Sequence, residues 1–170
     1  MNDTLSVGDL SSDAKGTGAR FNAGKDRLDL IPLDIQGKVY QLARSLPAVD
    51  KGQAIMATID LVHQFLKHKD RSFLLNAIAI LDPTLEQAAA VFEFGSKKYK
   101  AWNWLKGMNW SVPYGCIGRH TRAIILAGQP DDPESGISHA GHVSCNLIML
   151  YQFAETFPEG DDLAPAELLR

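Results

Sequence analysis

Apolar positions recur at helical spacing over most of this chain. Between residues 51 and 69, Ile55, Ile59, Val62 and Phe65 share a face, and Lys67, His68 and Lys69 close the run where positive charge suits a helix C-terminus. Residues 33 to 44 follow a helical pattern, and RSFLLNAIAIL, 71 to 81, reads as a more apolar, buried helix. Asp82-Pro83-Thr84 is a start signal for a helix over 84 to 100, with Leu85, Ala88, Phe92 and Tyr99 along its stripe. The period then breaks. KAWNWLKGMNWS, 100 to 111, holds all three tryptophans and predicts a loop. A helix over 112 to 128 stops at Gly128 with Pro130 behind it. After the connector QPDDPESGI, a last long helix covers 138 to 155. With hardly any alternation of period two, the class is all-α, a helical bundle.

The ends differ in character. Residues 1 to 18 are rich in Gly, Ser and Asp without periodicity and predict a flexible tail; 158 to 170 form a second, acidic tail. ARFNAGKDRLDLIP, after the first tail, alternates charged and apolar positions and predicts a short extended piece docked on a single domain spanning 19 to 157.

The last helix carries a chemical oddity. At about 100° per residue, His139, His142 and Asn146 fall on the same side as Val143, Leu150 and Phe153, so polar groups occupy the start of a core-facing stripe. A helix N-terminus disfavours imidazolium, and neutral histidine is the form that ligates metal. Glu93 sits on the shoulder of the apolar stripe of the 84 to 100 helix, where a half-buried carboxylate needs a partner. Facing helices that contribute a carboxylate and an i, i+3 pair are a known way to build an internal metal site. The plainer alternative makes the histidines and Asn146 hydrogen-bonded structural groups and pairs Glu93 with Lys97 on the helix surface. His120 shares a face with Ile117 and Ile124 and reads as a core residue.

Composition narrows the field. A chain of 170 residues supports one ordinary domain, and a net charge of -3 argues for neither a nucleic-acid surface nor a membrane-surface helix. No apolar run approaches a membrane span, and the expectation is a soluble, cytoplasmic protein. Cys116 and Cys145 have neither zinc nor redox spacing and read as reduced core residues.

Four segments, GARFNAGKDRLDLIP, VFEFGSKKYKAWNWLKGMNWS, GRHTRAIILAG and DPESGISHAGHVSCN, resemble the phage-encoded dATP/dGTP diphosphohydrolases, relatives of MazG within the all-α NTP pyrophosphatases. The likeness covers 19 to 34 and 84 to 155 and is greatest to (d)GTP-specific members from phages that replace adenine by 2-aminoadenine. It leaves 36 to 83 as an extra helical insertion in a MazG-like bundle. MazG-type enzymes place an E-x-x-E pair on one helix and an E-x-x-D pair on another. Here Glu93-Phe94-Gly95-Ser96 stands at the first and His139-Ala140-Gly141-His142 at the second, so only Glu93 keeps its type.

That resemblance implies a metal-dependent pyrophosphohydrolase, using Mg²⁺ or Mn²⁺, that converts dGTP or GTP, and secondarily dATP, to the monophosphate and pyrophosphate. The dGMP would supply 2-aminoadenine nucleotide synthesis, in the host cytoplasm. Glu93, His139 and His142 become the catalytic candidates, and the same three with Asn146, Asp132 and Glu134 the metal set. Imidazole nitrogen in place of carboxylate shifts preference toward Mn²⁺ or a later transition metal. Lys97, Lys98, Arg119 and Arg122 are candidates to grip phosphate, and Asn103 and Trp104, with Trp102 nearby, to hold the base. Lys25 and Arg27 would close over the nucleotide, from the same chain or a neighbour, in a homodimer or homotetramer. The competing classes are a non-enzymatic helical regulator binding nucleic acid through 114 to 127, and a phage structural helix bundle.

Overall fold

The computed structural model describes residues 6–7, 15, 20–21 and 24–168. Most of the N-terminal tail lies outside the described residues; Ser6–Val7 (β1), inside the tail, pairs antiparallel with Arg20–Phe21 (β2), just beyond it. Among the described residues six α-helices follow, joined by loops and short 3-10 turns: α1 (Leu33–Ala43), α2 (Lys51–His68), α3 (Ser72–Leu81), α4 (Glu86–Lys98), α5 (Ser111–Ile125) and α6 (His139–Thr156). The all-α class predicted from periodicity is the one observed. No helix among the described residues is long and apolar enough to cross a membrane.

α6 is the central post, packed against α3, α4 and α5. Its Val143, Leu147, Ile148, Leu150 and Phe153 are completely buried, meeting Leu74, Ala77 and Ile78 of α3 and Ala88 and Ala89 of α4 in one core. A helix apolar on nearly every side is stable only at the centre of a bundle. Its start is set by Ser138, whose hydroxyl accepts from the Gly141 amide at 3.1 Å, the usual N-cap bond.

The residues set apart as an insertion, 36 to 83, include most of α1 and all of α2 and α3. They share the single core: Val39, Phe65, Leu74 and Ile78 are fully buried, and α3 packs directly on α6.

The sequence ahead of α1 differs from the extended piece expected. Leu28–Leu30 form a single 3-10 turn docked on α4, because Arg27 grips Asp29 bidentately at 2.7 and 2.8 Å and the buried Gln36 amide donates to the Leu28 and Ile31 carbonyls. Those local bonds outweigh the alternation. At the other end, the segment read as a tail from residue 158 is held at its start. The Trp110 amide donates to the Gly160 carbonyl at 2.9 Å, Lys69 pairs with Asp161 at 2.7 Å, and Asp162 accepts from the Ser111 amide at 2.8 Å.

α4 begins at a buried acid. Asp82 is 2% exposed and accepts from the Ala88 amide at 2.8 Å. Burial pushes its carboxyl above the usual range, against the pull of the Ala88 and Gln87 amides. The aromatic segment between α4 and α5 is irregular, as expected, apart from a 3-10 turn at Asn103–Lys106. Trp104 packs on Phe92 and Phe153, with ring centroids 5.2 and 6.4 Å apart, and Trp110 packs on Phe65 at 5.9 Å.

Candidate functional site

The connector between α5 and α6 folds onto itself around Asp132. Its amide donates to the Ile137 carbonyl at 2.9 Å, its carbonyl accepts from Gly136 at 2.8 Å, and its carboxylate accepts from both the amide and the hydroxyl of Ser135 at 2.9 Å. Gly136, at φ +69°, takes the left-handed conformation that the turn back toward α6 requires. The turn delivers Asp132 and Ser135 to the first turn of α6, opposite His120 of α5.

Three imidazoles and a carboxylate meet there. His120 Nδ1 lies 2.8 Å from His139 Nδ1, and the His120 ring stacks on His142 with centroids 4.4 Å apart. His142 Nε2 lies 2.8 Å from Ser135 Oγ and 3.7 Å from Asp132. Because the Ser135 hydroxyl donates to Asp132, it must accept from His142. The protons therefore run from His142 Nε2–H to Ser135 Oγ–H to the Asp132 carboxylate, leaving His142 Nδ1 as an acceptor. The two facing Nδ1 atoms admit only one proton between them, so His120 and His139 cannot both be imidazolium.

Electrostatics favour neutral rings at His120 and His142. Burial, helped by His142 and His139, pulls His120 down to about 4, and burial also lowers His142 despite the opposing Asp132 charge. Burial works to raise Asp132, but the Ser135 bonds and the neighbouring histidines together hold it below its ordinary value. A histidine depressed in the folded state adds stability that is complete above its ordinary pKa near 6.5 and is lost as pH falls toward the folded value. In protein freed of metal by chelation, the unfolding free energy should therefore drop by about 2 kcal/mol more between pH 7 and pH 4 than in His120→Asn. Urea melts across that range would show it, and equal slopes for the two proteins would remove the assignment.

This donor set fits a divalent cation. One ligand atom each from His120, Asp132 and His139 lie within 4.8 Å of one another, and His139 Nε2 is buried without a hydrogen-bond partner. A buried ring nitrogen without a partner is costly unless something binds it. Two nitrogens and one oxygen suit Mn²⁺ or a later transition metal better than Mg²⁺.

Beside the cluster opens a cavity of about 480 Å³ between α4, α6 and the tryptophan segment. His142 and Glu134 stand on its wall with Lys98; Trp102, Asn103 and Lys100 form another part; Phe92, Trp104, Met108 and Met149 supply apolar lining. Lys98 is salt-bridged to Glu134. Trp102, at φ +65°, is 39% exposed, whereas Trp104 is 8% exposed and mostly committed to packing.

The expected site residues divide accordingly. Asp132, His139 and His142 come together, and Asn146, one turn on, lines the cavity with its amide nitrogen donating to the His142 carbonyl at 2.8 Å. Glu93 does not join them. α4 turns Phe92, Gly95 and Ser96 to the cavity, and Glu93, about 100° round the helix, instead lies within electrostatic reach of Arg27. Glu134 is engaged by Lys98 and stands outside the three-group cluster. Lys98 and Asn103 line the cavity, whereas Lys97 and Lys25 are exposed elsewhere and Arg27 is taken up by Asp29. Arg119 bonds Cys116, a cavity-lining residue, at 2.9 Å. Arg122 faces a separate apolar groove of about 570 Å³ between α2 and α5.

The residue that sequence reasoning missed is His120. The helical count that sets it beside Ile117 is correct, and that face does look inward, but toward a polar pocket of the core. Ser135 and Lys100 carry no pattern that would have singled them out.

The family profile described as "dATP/dGTP diphosphohydrolase, N-terminal" matches residues 66–163, which span α3 to α6 and hold the whole cluster. The chain belongs to this family. A relative called dATP/dGTP diphosphohydrolase, from Salmonella phage PMBT28, is 28% identical over 86 residues, covering 50% of this chain and 29% of the relative. No solved structure matches. Within this diphosphohydrolase family domain, α3 falls inside the matched region, whereas α1 and nearly all of α2 precede it.

Proposed function

We propose that the chain is a divalent-metal-dependent hydrolase of purine deoxynucleoside triphosphates, cleaving between the α and β phosphates to give the monophosphate and pyrophosphate. The observation that carries it is the His120–Asp132–His139 cluster beside a cavity of about 480 Å³, a size within the ordinary range of small-ligand sites. The family and its phage relative, named for dATP and dGTP, support the substrate class.

His120, Asp132 and His139 would hold the ion, with Mn²⁺ favoured over Mg²⁺. When bound, it supplies charge neutralisation and polarisation at the polyphosphate oxygens. The chain's own groups supply the rest. His142, neutral and bonded through Nε2 to Ser135, keeps Nδ1 available to take a proton from an attacking water, and the Ser135–Asp132 relay stabilises the resulting imidazolium. As water oxygen bonds to the α phosphorus, the bond to the bridging oxygen breaks and pyrophosphate departs. Lys98 and Lys100, which line the cavity, would bind departing phosphate, Lys98 by exchanging Glu134 for it. Trp102, partly exposed on the cavity wall, would stack on a base. Assembly as a homodimer or homotetramer, and supply of dGMP for 2-aminoadenine nucleotides, belong to this reading through the family likeness alone.

Incubation with each dNTP and NTP plus Mn²⁺, with products resolved chromatographically, tests it. We expect monophosphate and pyrophosphate from purine deoxynucleotides. Orthophosphate with a diphosphate would overturn the cleavage position, and no turnover of any nucleotide would overturn the reading.

A further inference from the structure

Gly95 is the glycine on the wall of the α4–α6 cavity, and nothing inside the chain calls for a glycine there. It lies within α4 and its φ stays out of the left-handed range, so its backbone suits any residue. A Cβ built on it would meet nothing within 4 Å, so packing does not exclude a side chain either. Alanine is the better helix former at such a position. Gly141, where α6 meets α4, is the contrast, since a Cβ there would stand 2.9 Å from the Gln87 carbonyl oxygen. From Gln87 to Gly95, about 12 Å along the α4 axis, close contact with α6 has given way to open cavity. Around Gly95 the same face of α4 carries Phe92 and Tyr99 on one side and Lys98 on the other, and Met149 of α6 lines the same space.

We infer that Gly95 is the seat of the nucleoside: the substrate's sugar and base pack directly on the strip of α4 backbone that the absent side chain leaves bare, and the phosphates pass to Lys98. A helix without a side chain at one point lets a ring approach the main chain more closely than any other residue allows. The apolar neighbours Phe92, Tyr99 and Met149 suit the carbon-rich faces of a sugar and a base, whereas a polyphosphate needs the cation that Lys98 supplies. A methyl group at position 95 would then occupy volume that belongs to the ligand, although the protein alone has room for it. The inference rests on the hydrolase reading for its substrate.

The test measures KM and kcat for dGTP with Mn²⁺ in the full chain, wild type against Gly95→Ala, Gly95→Val and Gly37→Ala. Gly37, on α1, also has nothing within 4 Å of an added Cβ but stands outside the cavity, so it takes the same gain in helix propensity and should leave KM unchanged. Gly95→Ala should raise KM about tenfold and Gly95→Val several-fold further, with kcat moved less than about threefold. The melting temperature of Gly95→Ala should equal or exceed that of wild type. Inhibition by inorganic triphosphate, which has the phosphates and no nucleoside, should be the same in Gly95→Ala as in wild type. A KM for Gly95→Ala within about twofold of wild type overturns the inference, and so does an equal weakening of inorganic triphosphate. A lower melting temperature overturns it too, because the Cβ would then be meeting the protein and not the substrate. Should wild type hydrolyse nothing, the hydrolase reading fails by itself, and calorimetric binding of dGMP carries the same comparison. Equal affinity in wild type and Gly95→Ala, or no binding by wild type, then overturns the inference.

Discussion

His139→Ala is expected to lower turnover of a purine deoxynucleoside triphosphate by at least about a hundredfold and to abolish the rise in Tm that Mn²⁺ produces in the wild type. The two losses share one cause. His139 is 4% exposed, contributes to the three-group cluster, and holds His120 through the Nδ1 contact, so its removal takes away one ligand and releases another. At a metal concentration of about a hundred times Kd, binding adds about 2.7 kcal/mol, or about 5–10 °C in a chain of this size. Thermal melts with and without Mn²⁺ measure it, and a folded His139→Ala that kept the metal shift would eliminate this cluster as the ion's site. Asp132→Asn tests the carboxylate charge directly. It keeps the size and some of the hydrogen bonding to Ser135 but loses the charge, and should also lose most of the metal shift.

Gly141→Ala is expected to cost about 2 kcal/mol, a fall in Tm of about 4–8 °C, with activity falling as well. A Cβ at Gly141 would stand 2.9 Å from the Gln87 carbonyl oxygen and 3.0 Å from Gln87 Cβ. The nearest obstacle is α4 backbone, which cannot rotate aside, so the first turn of α6 must move and carry His139 and His142 with it. The Ser138 hydroxyl, which donates to Gln87 beside that contact, would be displaced too. Gly118→Ala on α5 is the control, since nothing lies within 4 Å of its added Cβ, and helix propensity predicts no loss. Equal melting temperatures for Gly141→Ala and wild type would show that α4 and α6 can part without cost.

Much of the site was legible before folding was considered, and the parts that were not share a physical reason. His139 and His142 declared themselves because polar residues on an apolar helical stripe are unusual, and that signal needs one helix only. Asp132 was visible as an acid close in sequence to the histidines. His120 gave the same inward signal and was read as core, because a helical count distinguishes inside from outside but not a dry interior from a polar pocket. Glu93 shows the converse. Its place on the shoulder of α4 was read correctly, yet a rotation of about 100° decides whether a shoulder residue meets the cavity or Arg27, and that rotation follows from how α4 packs on α6 and on the Leu28–Leu30 turn.

Local pattern by itself determined the six helices, their order, their approximate ends and the inward face of α6, since periodicity, caps and glycine stops act within a few residues. Tertiary structure alone decided the company each polar group keeps. Residues at positions 120, 132, 135, 139 and 142 are gathered into one cluster, a His120–His139 pair stacked on a His142–Ser135–Asp132 chain, through the α5–α6 packing and the folded connector between them. Contacts between helices depend on axial rotation and distance, which no single segment encodes, and the donor set of this site exists only when two helices and a turn meet.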